Sequence, residues 1–585
     1  MSGFRLESIV PDETNPSNNS AFDHSYDVVV VGSGAAGFAT ALGCVDEGLS
    51  VLIVEGSDKW GGSTSMSGGG MWLPNNPLMK RARVSDSRED ALTYMEASIG
   101  TPSKSSSTER KEAFVDGVED FVSTSERYGI EFMRAPNYPD YYPELPGGKI
   151  GRAIEVKPQD SKKIGVWWDR LLGAVPMPAT TDDVYLLGRA WSTPSGFVRG
   201  ARFVFRALGG VVTGKRLAGI GAGWATAYLK ATVIDNGVPL WLQSPLEDLI
   251  IDNGRVTGVT VTRDGKQVRI EARKGVMLAA GGFESNPEWR QKYQKVDGSP
   301  SGNPYNTGGP IDIAIKHGAA VELMDDAWWG ASVEPNKGGS PSFIVGERSM
   351  PFSVMVDSEG KRFANESESY VDLGHHMLEH DGGQGPYWLI LDARYTRRYL
   401  RTFAIDPQAG KARKEEGITV KAKTLTELAK KMGVPTTNLK STLERFNAFA
   451  RAGVDGDFGR GNSAYDRYYG DPTITPNPCL GPIENGPFTA YRVVLGDLGT
   501  KGGVLTDTEG RALREDGSII EGLYSAGNNS ASVMGNTYPG PGSTIGPAAV
   551  FGMRAARHMA KNRTHQANQG VRGCTHAIPD PSLID

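Results

Sequence analysis

The chain has 585 residues and a formal net charge of -5. Its length exceeds what one hydrophobic core usually holds, so two domains or one domain with large insertions are expected. The acidic balance argues against a nucleic-acid partner, because such proteins carry a basic surface that displaces counterions from phosphates. The cysteines Cys44, Cys479 and Cys574 lack metal-site spacing, so neither a metal site nor a disulfide framework is predicted.

The N-terminal segment is polar and has no apolar core of a signal peptide. Residues 1–23 are therefore predicted to form a disordered arm, and the protein is expected in the cytoplasm.

A dinucleotide-binding βαβ unit is predicted from residue 26. YDVVVV and LSVLIVEG predict two strands, and GSGAAG followed by a helical segment lies between them. In this pattern the first glycine permits a tight turn, the second lets the backbone approach a pyrophosphate, and the third lets helix and strand pack closely. The pyrophosphate then lies at the helix N-terminus, where free amides favour negative charge. The predicted contacts are Gly32, Gly34, Ala35, Ala36, Gly37, the ribose-binding acid Glu55, and Gly56.

A second cluster of small residues, SDKWGGSTSMSGGGMWLP at 57–74, follows Glu55 directly. It resembles the flavin-contacting loop of the fumarate reductase/succinate dehydrogenase-like flavoproteins, and this resemblance implies FAD as the cofactor. A Ser/Gly linker is the alternative interpretation. The residues that the resemblance places along the flavin are Gly62, Ser63, Thr64, Ser67, Gly68 and Gly69.

Two later segments fit the same superfamily. Residues 237–280 predict a strand meander with turns at Asn253-Gly254 and Asp264-Gly265, and IEGLYSAGNNSAS predicts a strand that ends near residue 527. Many members of the superfamily carry an acid where this chain has Asn528, so the ribityl contact there is expected to be weaker. The resemblance implies FAD contacts at Leu246, Ala280, Gly281, Gly527 and Asn528.

Three further blocks resemble the 3-ketosteroid Δ1-dehydrogenase family. They are YPDYYPELPGG at 138–148, GKRFANESESY at 360–370, and GDLGTKGG at 496–503 together with YPGPG at 538–542. The resemblance implies that Tyr538 and the backbone amide of Gly542 bind the C3 carbonyl oxygen and that Tyr370 removes the C2 proton. Tyr141 is expected to assist Tyr370, with the adjacent Tyr142 as an alternative. Further implied cofactor contacts are Ser543, Thr544 and Ile545.

The activity implied is FAD-dependent 1,2-dehydrogenation of a 3-ketosteroid, with hydride transfer from C1 to FAD and reoxidation by an external acceptor. The donors at the ketone are needed because a C–H bond next to a carbonyl is a poor acid unless the developing oxyanion is stabilised. A tyrosine base needs help to ionise, and we hypothesise a hydrogen bond from Tyr141 and a cationic neighbour. The alternatives are a steroid Δ4(5α)-dehydrogenase or another fumarate reductase-like flavin oxidoreductase, and, more remotely, a non-catalytic flavin or sterol binding protein.

The predicted fold class is α/β, with a Rossmann-like discontinuous FAD-binding domain and an α+β catalytic cap. The FAD-binding domain is assigned to 24–330 and 496–562, the cap to 331–495, and a tail to 563–585.

The main departure from the family pattern is an insertion at 150–235. Within it, residues 196–230 mix aromatic and basic residues without any acid and are too charged to span a bilayer. Segment 172–230 is therefore a candidate for peripheral association at the inner face of the cell membrane. Packing against the FAD domain with a solvated basic face is the alternative. The insertion favours a sterol substrate with a side chain, such as cholest-4-en-3-one.

Overall fold

The computed structural model describes residues 22–561. The predicted tail at 563–585 and all of the predicted N-terminal arm except Phe22 and Asp23 lie outside the described residues.

An eight-stranded mixed sheet contains the predicted βαβ unit. The strand His24–Val31 runs parallel to Val51–Val54 on one side and to Lys266–Leu278 on the other. Its residues 28–30 are completely buried, as expected for a β-branched run that is covered on both faces. The strands in spatial order are Arg511–Leu513, Ile519–Ser525, Lys266–Leu278, His24–Val31, Val51–Val54 and Leu240–Trp241, with Arg255–Arg263 pairing to Lys266–Leu278 and Leu246–Asp252 pairing to Arg255–Arg263.

The meander predicted at 237–280 is present in this sheet. Its two turns have positive φ at both central residues: 48° and 79° at Asn253-Gly254, and 50° and 73° at Asp264-Gly265. Paired positive φ values suit the twist of the flanking strands, and asparagine, aspartate and glycine adopt them most readily.

Helix Ala35–Asp46 packs closely on the C-terminal helix Ile545–Lys561. A Cβ atom at Gly43 would lie 2.7 Å from the Cβ of Ala556, and one at Gly552 would lie 2.6 Å from the carbonyl oxygen of Ala36. Because only glycine permits this approach, the YPGPG segment before the second helix is held beside the first βαβ unit.

A second, antiparallel sheet follows in the chain. Both predicted domain boundaries, at 330/331 and 495/496, fall inside strands of this sheet, and the domain division stays a prediction. Helix Tyr370–Asp381 packs on the sheet and begins at the last residue of the NES block. The strands are Ser342–Phe343, Ala327–Val333, Phe488–Thr500, Tyr387–Leu391 and Ser353–Val356, with Thr419–Ala422 also paired to Phe488–Thr500.

The remaining regular elements connect these layers. The other strands outside the insertion are Met71–Trp72, Phe132–Arg134, Val321–Glu322 and Gly503–Val504. The other α-helices of four or more residues are Gly62–Met66, Pro77–Arg81, Arg88–Ile99, Thr108–Arg127, Gly309–Lys316, Gly346–Ser349, Ala393–Arg398, Pro407–Glu415, Leu425–Met432, Thr436–Ala452 and Ala464–Tyr469.

The insertion contains two helices with opposite environments. Ile220–Leu229 is almost wholly buried against the FAD-side core, whereas Pro194–Val212 turns an apolar face to the outside. Between residues 22 and 561, no helix has both the length and the apolar character needed to cross a membrane. The insertion's elements are Ala153–Val156, Gln159–Asp160, Ser161–Arg170, Thr181–Leu186, Leu187–Arg189, Pro194–Val212, Leu217–Ala218, Ile220–Leu229 and Lys230–Ile234.

Candidate active site

One cavity of about 800 Å³ is lined by loops of both large sheets. It brings together the four residues predicted for catalysis and most of those predicted for the cofactor. The predicted residues on its wall are Gly32, Gly34, Ala35, Ala36, Glu55, Gly56, Gly62, Ser63, Thr64, Ser67, Gly68, Gly69, Tyr141, Leu246, Ala280, Gly281, Tyr370, Gly527, Asn528, Tyr538, Gly542, Thr544 and Ile545.

Two predicted cofactor residues, Gly37 and Ser543, do not line the cavity. A Cβ atom at Gly37 would lie 2.0 Å from the carbonyl oxygen of Gly32, so this glycine serves helix–strand packing. The Ser543 hydroxyl donates to the carbonyl oxygen of Gly540 at 2.7 Å and accepts from its amide at 3.0 Å. Ser543 therefore shapes the YPGPG turn instead of forming the wall.

The first glycine-rich turn forms a backbone wall suited to a dinucleotide. Gly32 has φ 107°, and a side chain there would meet the carbonyl of Ala279 at 2.4 Å. Gly34 is different, because a Cβ atom there would meet only Thr64 Oγ1, at 3.7 Å. Helix Ala35–Asp46 begins at this point without a side-chain cap, and the Ala35 amide donates to Thr64 Oγ1 at 3.1 Å. An open backbone surface at a helix N-terminus fits a pyrophosphate.

Glu55 lies on the cavity wall and is tied to the same turn. Its Oε2 accepts from the Ser33 hydroxyl at 2.7 Å and the Ser33 amide at 3.2 Å, while Oε1 accepts from the Ser57 amide at 3.1 Å. Burial raises the pKa of this carboxyl, and the bonds from Ser33 and Ser57 act in the opposite direction. Oε2 already accepts two hydrogen bonds, whereas Oε1 accepts one, so the second lone pair of Oε1 can accept from a ribose hydroxyl.

Three tyrosines from three distant chain segments meet in the cavity. Their ring centroids lie 5.1 Å apart for Tyr141 and Tyr538, 4.9 Å for Tyr370 and Tyr538, and 5.7 Å for Tyr141 and Tyr370. Tyr370 is the first residue of helix Tyr370–Asp381, whereas the other two lie in loops. The main-chain oxygen of Pro539 joins those loops, because it accepts from the Tyr141 amide at 2.8 Å and the Tyr94 hydroxyl at 2.6 Å.

The Tyr538 hydroxyl and the Gly542 amide lie side by side on the cavity wall. Burial raises the pKa of Tyr538, and hydrogen bonds with Tyr370, Thr544 and the Gly542 and Ser543 amides counteract part of that shift. Tyr538 therefore remains a protonated donor at neutral pH. Gly542 has φ 90°, and a Cβ atom there would lie 2.0 Å from the carbonyl oxygen of Gly70, so a side chain cannot be added without moving the turn.

The adjacent residues Tyr141 and Tyr142 point in different directions, which distinguishes their roles. Tyr141 is 4% exposed and faces the other two tyrosines. The Tyr142 hydroxyl points elsewhere and donates to Asp372 Oδ1 at 2.9 Å. Of the two residues, only Tyr141 lies on the cavity wall.

The aromatic cluster is larger than the sequence predicted. Tyr465 lies 4.3 Å from Tyr141 by ring centroids, and Tyr468 stacks on Tyr138 at 4.6 Å. Tyr138 and Tyr469 join their hydroxyls by a short hydrogen bond. The run AYDRYYG at 464–470 is dense in tyrosine, and this density was the signal that could have identified the segment.

Trp328, which the sequence analysis missed, connects the cofactor side of the cavity with the tyrosines. Its indole N–H donates to Asn528 Oδ1 at 3.3 Å, and its ring meets Tyr538 edge-on at 5.4 Å between centroids. The ammonium of Lys501 lies 5.1 Å from the centre of the indole and is paired with Asp326 at 2.8 Å. A cation directly beside Tyr370 stays a prediction.

A second missed segment is the loop SGNPYNTGGP at 301–310, which lines one wall of the cavity. Asn306 donates to Glu284 Oε1 at 2.7 Å and to Ser63 Oγ at 3.3 Å. The density of glycine, asparagine and proline in this loop could have identified it as a ligand-binding turn.

One part of the cavity lies between loops of the second sheet and the insertion. Val345, Met350, Leu400 and Thr402 line it on one side and Gly188 on the other. The Leu400 amide donates to the carbonyl oxygen of Gly188 at 3.0 Å. Because Leu400 and Thr402 are exposed, the cavity opens to solvent here.

Comparisons with known proteins agree along most of the chain. A model of the FAD binding domain family matches residues 27–545. A 3-oxosteroid 1-dehydrogenase of Mycolicibacterium smegmatis is 47% identical over 92% of this chain and 97% of its own. One from Mycobacterium tuberculosis is 45% identical over 92% and 98%. The crystal structure of 3-ketosteroid delta1-dehydrogenase from Sterolibacterium denitrificans in complex with 1,4-androstadiene-3,17-dione has a TM-score of 0.84 and 37% identity, covering 92% of this chain and 99% of that one.

Proposed function

The chain belongs to the FAD-binding flavoproteins and, among them, to the 3-oxosteroid 1-dehydrogenases, and from this we propose that it desaturates the C1–C2 bond of 3-ketosteroids. The predictions of an FAD-dependent oxidoreductase, of this family and of the α/β fold class are confirmed. The residue roles that follow are our proposal. The observation that carries it is the meeting of Tyr141, Tyr370 and Tyr538 in the cavity that the glycine-rich turn also lines.

The residues of the first glycine-rich turn and of the loop around Ser63 are proposed to hold FAD. Gly34 leaves room for the pyrophosphate, Glu55 accepts from the ribose, and Asn528, held by Trp328, contacts the ribityl chain. FAD, when bound, supplies a two-electron acceptor for the hydride that C1 loses.

The substrate's C3 ketone is proposed to accept hydrogen bonds from the Tyr538 hydroxyl and the Gly542 amide. These two groups lie side by side on the cavity wall, and burial raises the pKa of Tyr538 and so keeps it protonated. Donors fixed before the reaction stabilise the negative charge that develops on the ketone oxygen as C2 loses its proton.

Tyr370 is proposed as the base that takes the C2 proton. Its ring is packed between Tyr538, Tyr141 and Phe343, so its oxygen is held beside the ketone site. The electrons of the C2–H bond form the new C1–C2 double bond as the hydride departs from C1, and Tyr370 retains the proton. Tyr141 positions this phenol and favours its ionised form by hydrogen bonding.

The substrates are proposed to be 3-ketosteroids that carry an apolar side chain. The ketone end is fixed by Tyr538, and the open end of the cavity is lined by Val345, Met350 and Leu400. An apolar chain on the far end of the steroid would be covered there, which favours cholestenone-sized over androstenedione-sized ketones.

The exposed face of helix Pro194–Val212 is proposed to rest on an anionic membrane surface. Phe197, Phe205, Val211 and Val212 are between 67% and 85% exposed, and Trp191 just before the helix is 71% exposed. The exposed cations Arg202 and Lys215 lie in the same segment, whereas the side chains of Arg199 and Arg206 pair with acids. Aromatic rings beside cations suit the lipid interface. The helix packs on the turn Leu187–Arg189, which contributes Gly188 to the open end of the cavity.

Vesicle co-sedimentation tests the membrane proposal. We expect Phe197→Ser/Phe205→Ser to pellet less than the parent protein with vesicles of phosphatidylcholine and phosphatidylglycerol. Val454→Ser is the control, because Val454 is 59% exposed in a different part of the chain. Equal pelleting of parent and double variant would rule the proposal out. Deleting 172–230 is a poorer test, since the deletion also removes the buried helix Ile220–Leu229.

Anaerobic titration of the FAD-loaded protein with 3-ketosteroids tests the activity. We expect the flavin absorbance to bleach and a product two mass units lighter, with the new double bond at C1–C2 by NMR. A double bond at C4–C5 from a saturated ketone would instead indicate the Δ4(5α) reaction. Binding of FAD without bleaching by any ketosteroid would indicate a non-catalytic binding protein.

A further inference from the structure

Glu284 is a completely buried carboxyl behind the loop that lines one wall of the cavity. It follows the Gly281-Gly282 turn at the end of a central strand, and it does not itself reach the cavity. Its Oε1 accepts from Asn306 Nδ2 at 2.7 Å, while its Oε2 is buried without a hydrogen-bond partner among the described residues. A buried polar group of this kind requires a structural or functional explanation.

The loop at 301–310 depends on this region for its shape. The Ser285 amide donates to the carbonyl oxygen of Asn306 at 3.0 Å, and Asn303 Nδ2 donates to Asn306 Oδ1 at 3.1 Å. Asn306 is only 5% exposed, so its amide group cannot exchange these partners for bulk water without the loop moving. Asn306 thus lies at the centre of the loop's internal hydrogen bonds.

The same side chain reaches the residues that we propose to line the flavin. Asn306 Nδ2 lies 3.3 Å from Ser63 Oγ, and a Cβ atom at Gly281 would meet the Asn306 amide at 2.6 Å. The Glu284 carboxyl therefore fixes the rotamer of Asn306, and Asn306 bridges the loop to two segments of the proposed cofactor wall.

We propose that Glu284 is a positioning residue for FAD, acting through Asn306 to hold the loop at 301–310 closed against Ser63. The inference rests on the proposed location of the FAD site and deepens it. Glu284 contacts neither the cofactor nor the substrate in this role. Its effect is to make the wall rigid before FAD binds, which reduces the ordering that binding requires.

Reconstitution of the apoprotein with FAD, followed by quenching of flavin fluorescence, tests the proposal without any steroid. We expect Glu284→Leu to raise the Kd for FAD by about tenfold or more, because the Asn306 amide loses a buried acceptor. Glu284→Gln is the matched control, since its amide oxygen can still accept from Asn306, and its Kd should stay within about twofold of the parent value. An unchanged Kd in Glu284→Leu overturns the proposal, and so does an equal loss in both variants.

A double-mutant cycle separates a route through Asn306 from a general loss of packing. If Glu284 acts through Asn306, Asn306→Ala should weaken FAD binding, and adding Glu284→Leu should weaken it little further. Fold-changes that multiply would overturn the proposed route. If Glu284→Leu does not fold, the cycle is run with Glu284→Gln and Glu284→Asp. The shorter Asp must then raise the Kd in the presence of Asn306 and not in its absence, and the opposite pattern contradicts the proposal.

Failure of this proposal is distinguishable from failure of the proposed activity. Loss of FAD affinity in Glu284→Leu is measured in the absence of ketosteroid, and it holds whichever ketone the protein oxidises.

Discussion

The Tyr141 amide donates to the carbonyl oxygen of Pro539 at 2.8 Å. This bond ties the PDYY block to the YPGPG block, so the ring of Tyr141 and the hydroxyl of Tyr538 are positioned by one shared backbone contact. The proposed ketone donor and the proposed assistant of the base therefore form one unit. A substitution in one block should change the position of the tyrosine in the other block.

Removing the Tyr538 hydroxyl should nearly abolish turnover. Tyr538→Phe keeps the ring that packs between Trp328 and Tyr370 but deletes one of two donors to the ketone. Loss of one oxyanion donor typically lowers kcat by about 10²- to 10³-fold. Stopped-flow bleaching of the flavin by ketosteroid gives the rate, and the FAD content of the variant should be unchanged. A loss below tenfold would contradict the donor role.

The bleaching rate should rise with pH from neutral into the alkaline range, because a phenol base must lose its proton before it can act. Burial holds the pKa of Tyr538 above its ordinary value, so the ketone donor stays protonated over the same interval. Tyr370→Phe should lose both the rate and its pH dependence. A flat profile of the parent protein from neutrality to about pH 10 would argue against a phenolate base.

Tyr141→Phe should mainly lower activity, whereas Tyr142→Phe should mainly lower stability. The first removes a hydroxyl from the cavity wall and should lower kcat by about tenfold or more, with little change in stability. The second leaves Asp372 without its 2.9 Å donor and should lower the unfolding free energy by about 1 to 3 kcal/mol. Bleaching rates and denaturant unfolding of both variants are compared. If Tyr142→Phe costs more activity than Tyr141→Phe, the assignment of Tyr141 is wrong.

Glu284 should make stability fall as the pH rises. Burial and the charge of Asp497 raise its pKa to about 8, while hydrogen bonds from its own backbone amide and from Asn306, and the charge of Arg290, oppose the shift. In the unfolded state this carboxyl has an ordinary pKa near 4.3, so between about pH 4.3 and pH 8 the folded state binds a proton that the unfolded state has released. The free energy of unfolding therefore falls as the pH rises through this interval, and it levels off above about pH 8. Denaturant unfolding of the parent and Glu284→Gln at pH 5 and pH 8 measures the difference. As the pH rises, we expect the free energy of unfolding of Glu284→Gln to increase relative to that of the parent by up to about 1.4 kcal/mol per pH unit. An equal stability difference at both pH values would contradict the raised pKa.

The sequence predicted the elements that have a strong local signal. The β-branched run at 26–31 and the Asn-Gly and Asp-Gly turns of the meander depend on neighbouring residues alone, and they are found where the patterns indicated. Trp328 and Glu284 could not be predicted in the same way. Their importance comes from partners distant in the chain, Asn528 and Asn306, and no local pattern distinguishes them from ordinary core residues.

Gly37 and Ser543 show the limit of motif reasoning within a recognised segment. Each lies inside a sequence block that lines the cavity. The conformation of the turn, however, directs both residues into the packing behind the cavity wall. A motif identifies the turn, whereas the direction of each side chain depends on backbone angles that the motif does not specify.

The apolar face of helix Pro194–Val212 has a practical consequence for handling the protein. The patch includes Phe205 and Val212, which are 72% and 85% exposed. In dilute buffer such a patch will associate with other hydrophobic surfaces, including the same patch on a second molecule. Concentrated preparations should therefore form larger particles that a mild detergent disperses. Specific activity measured in plain buffer will then depend on how the sample was concentrated and stored.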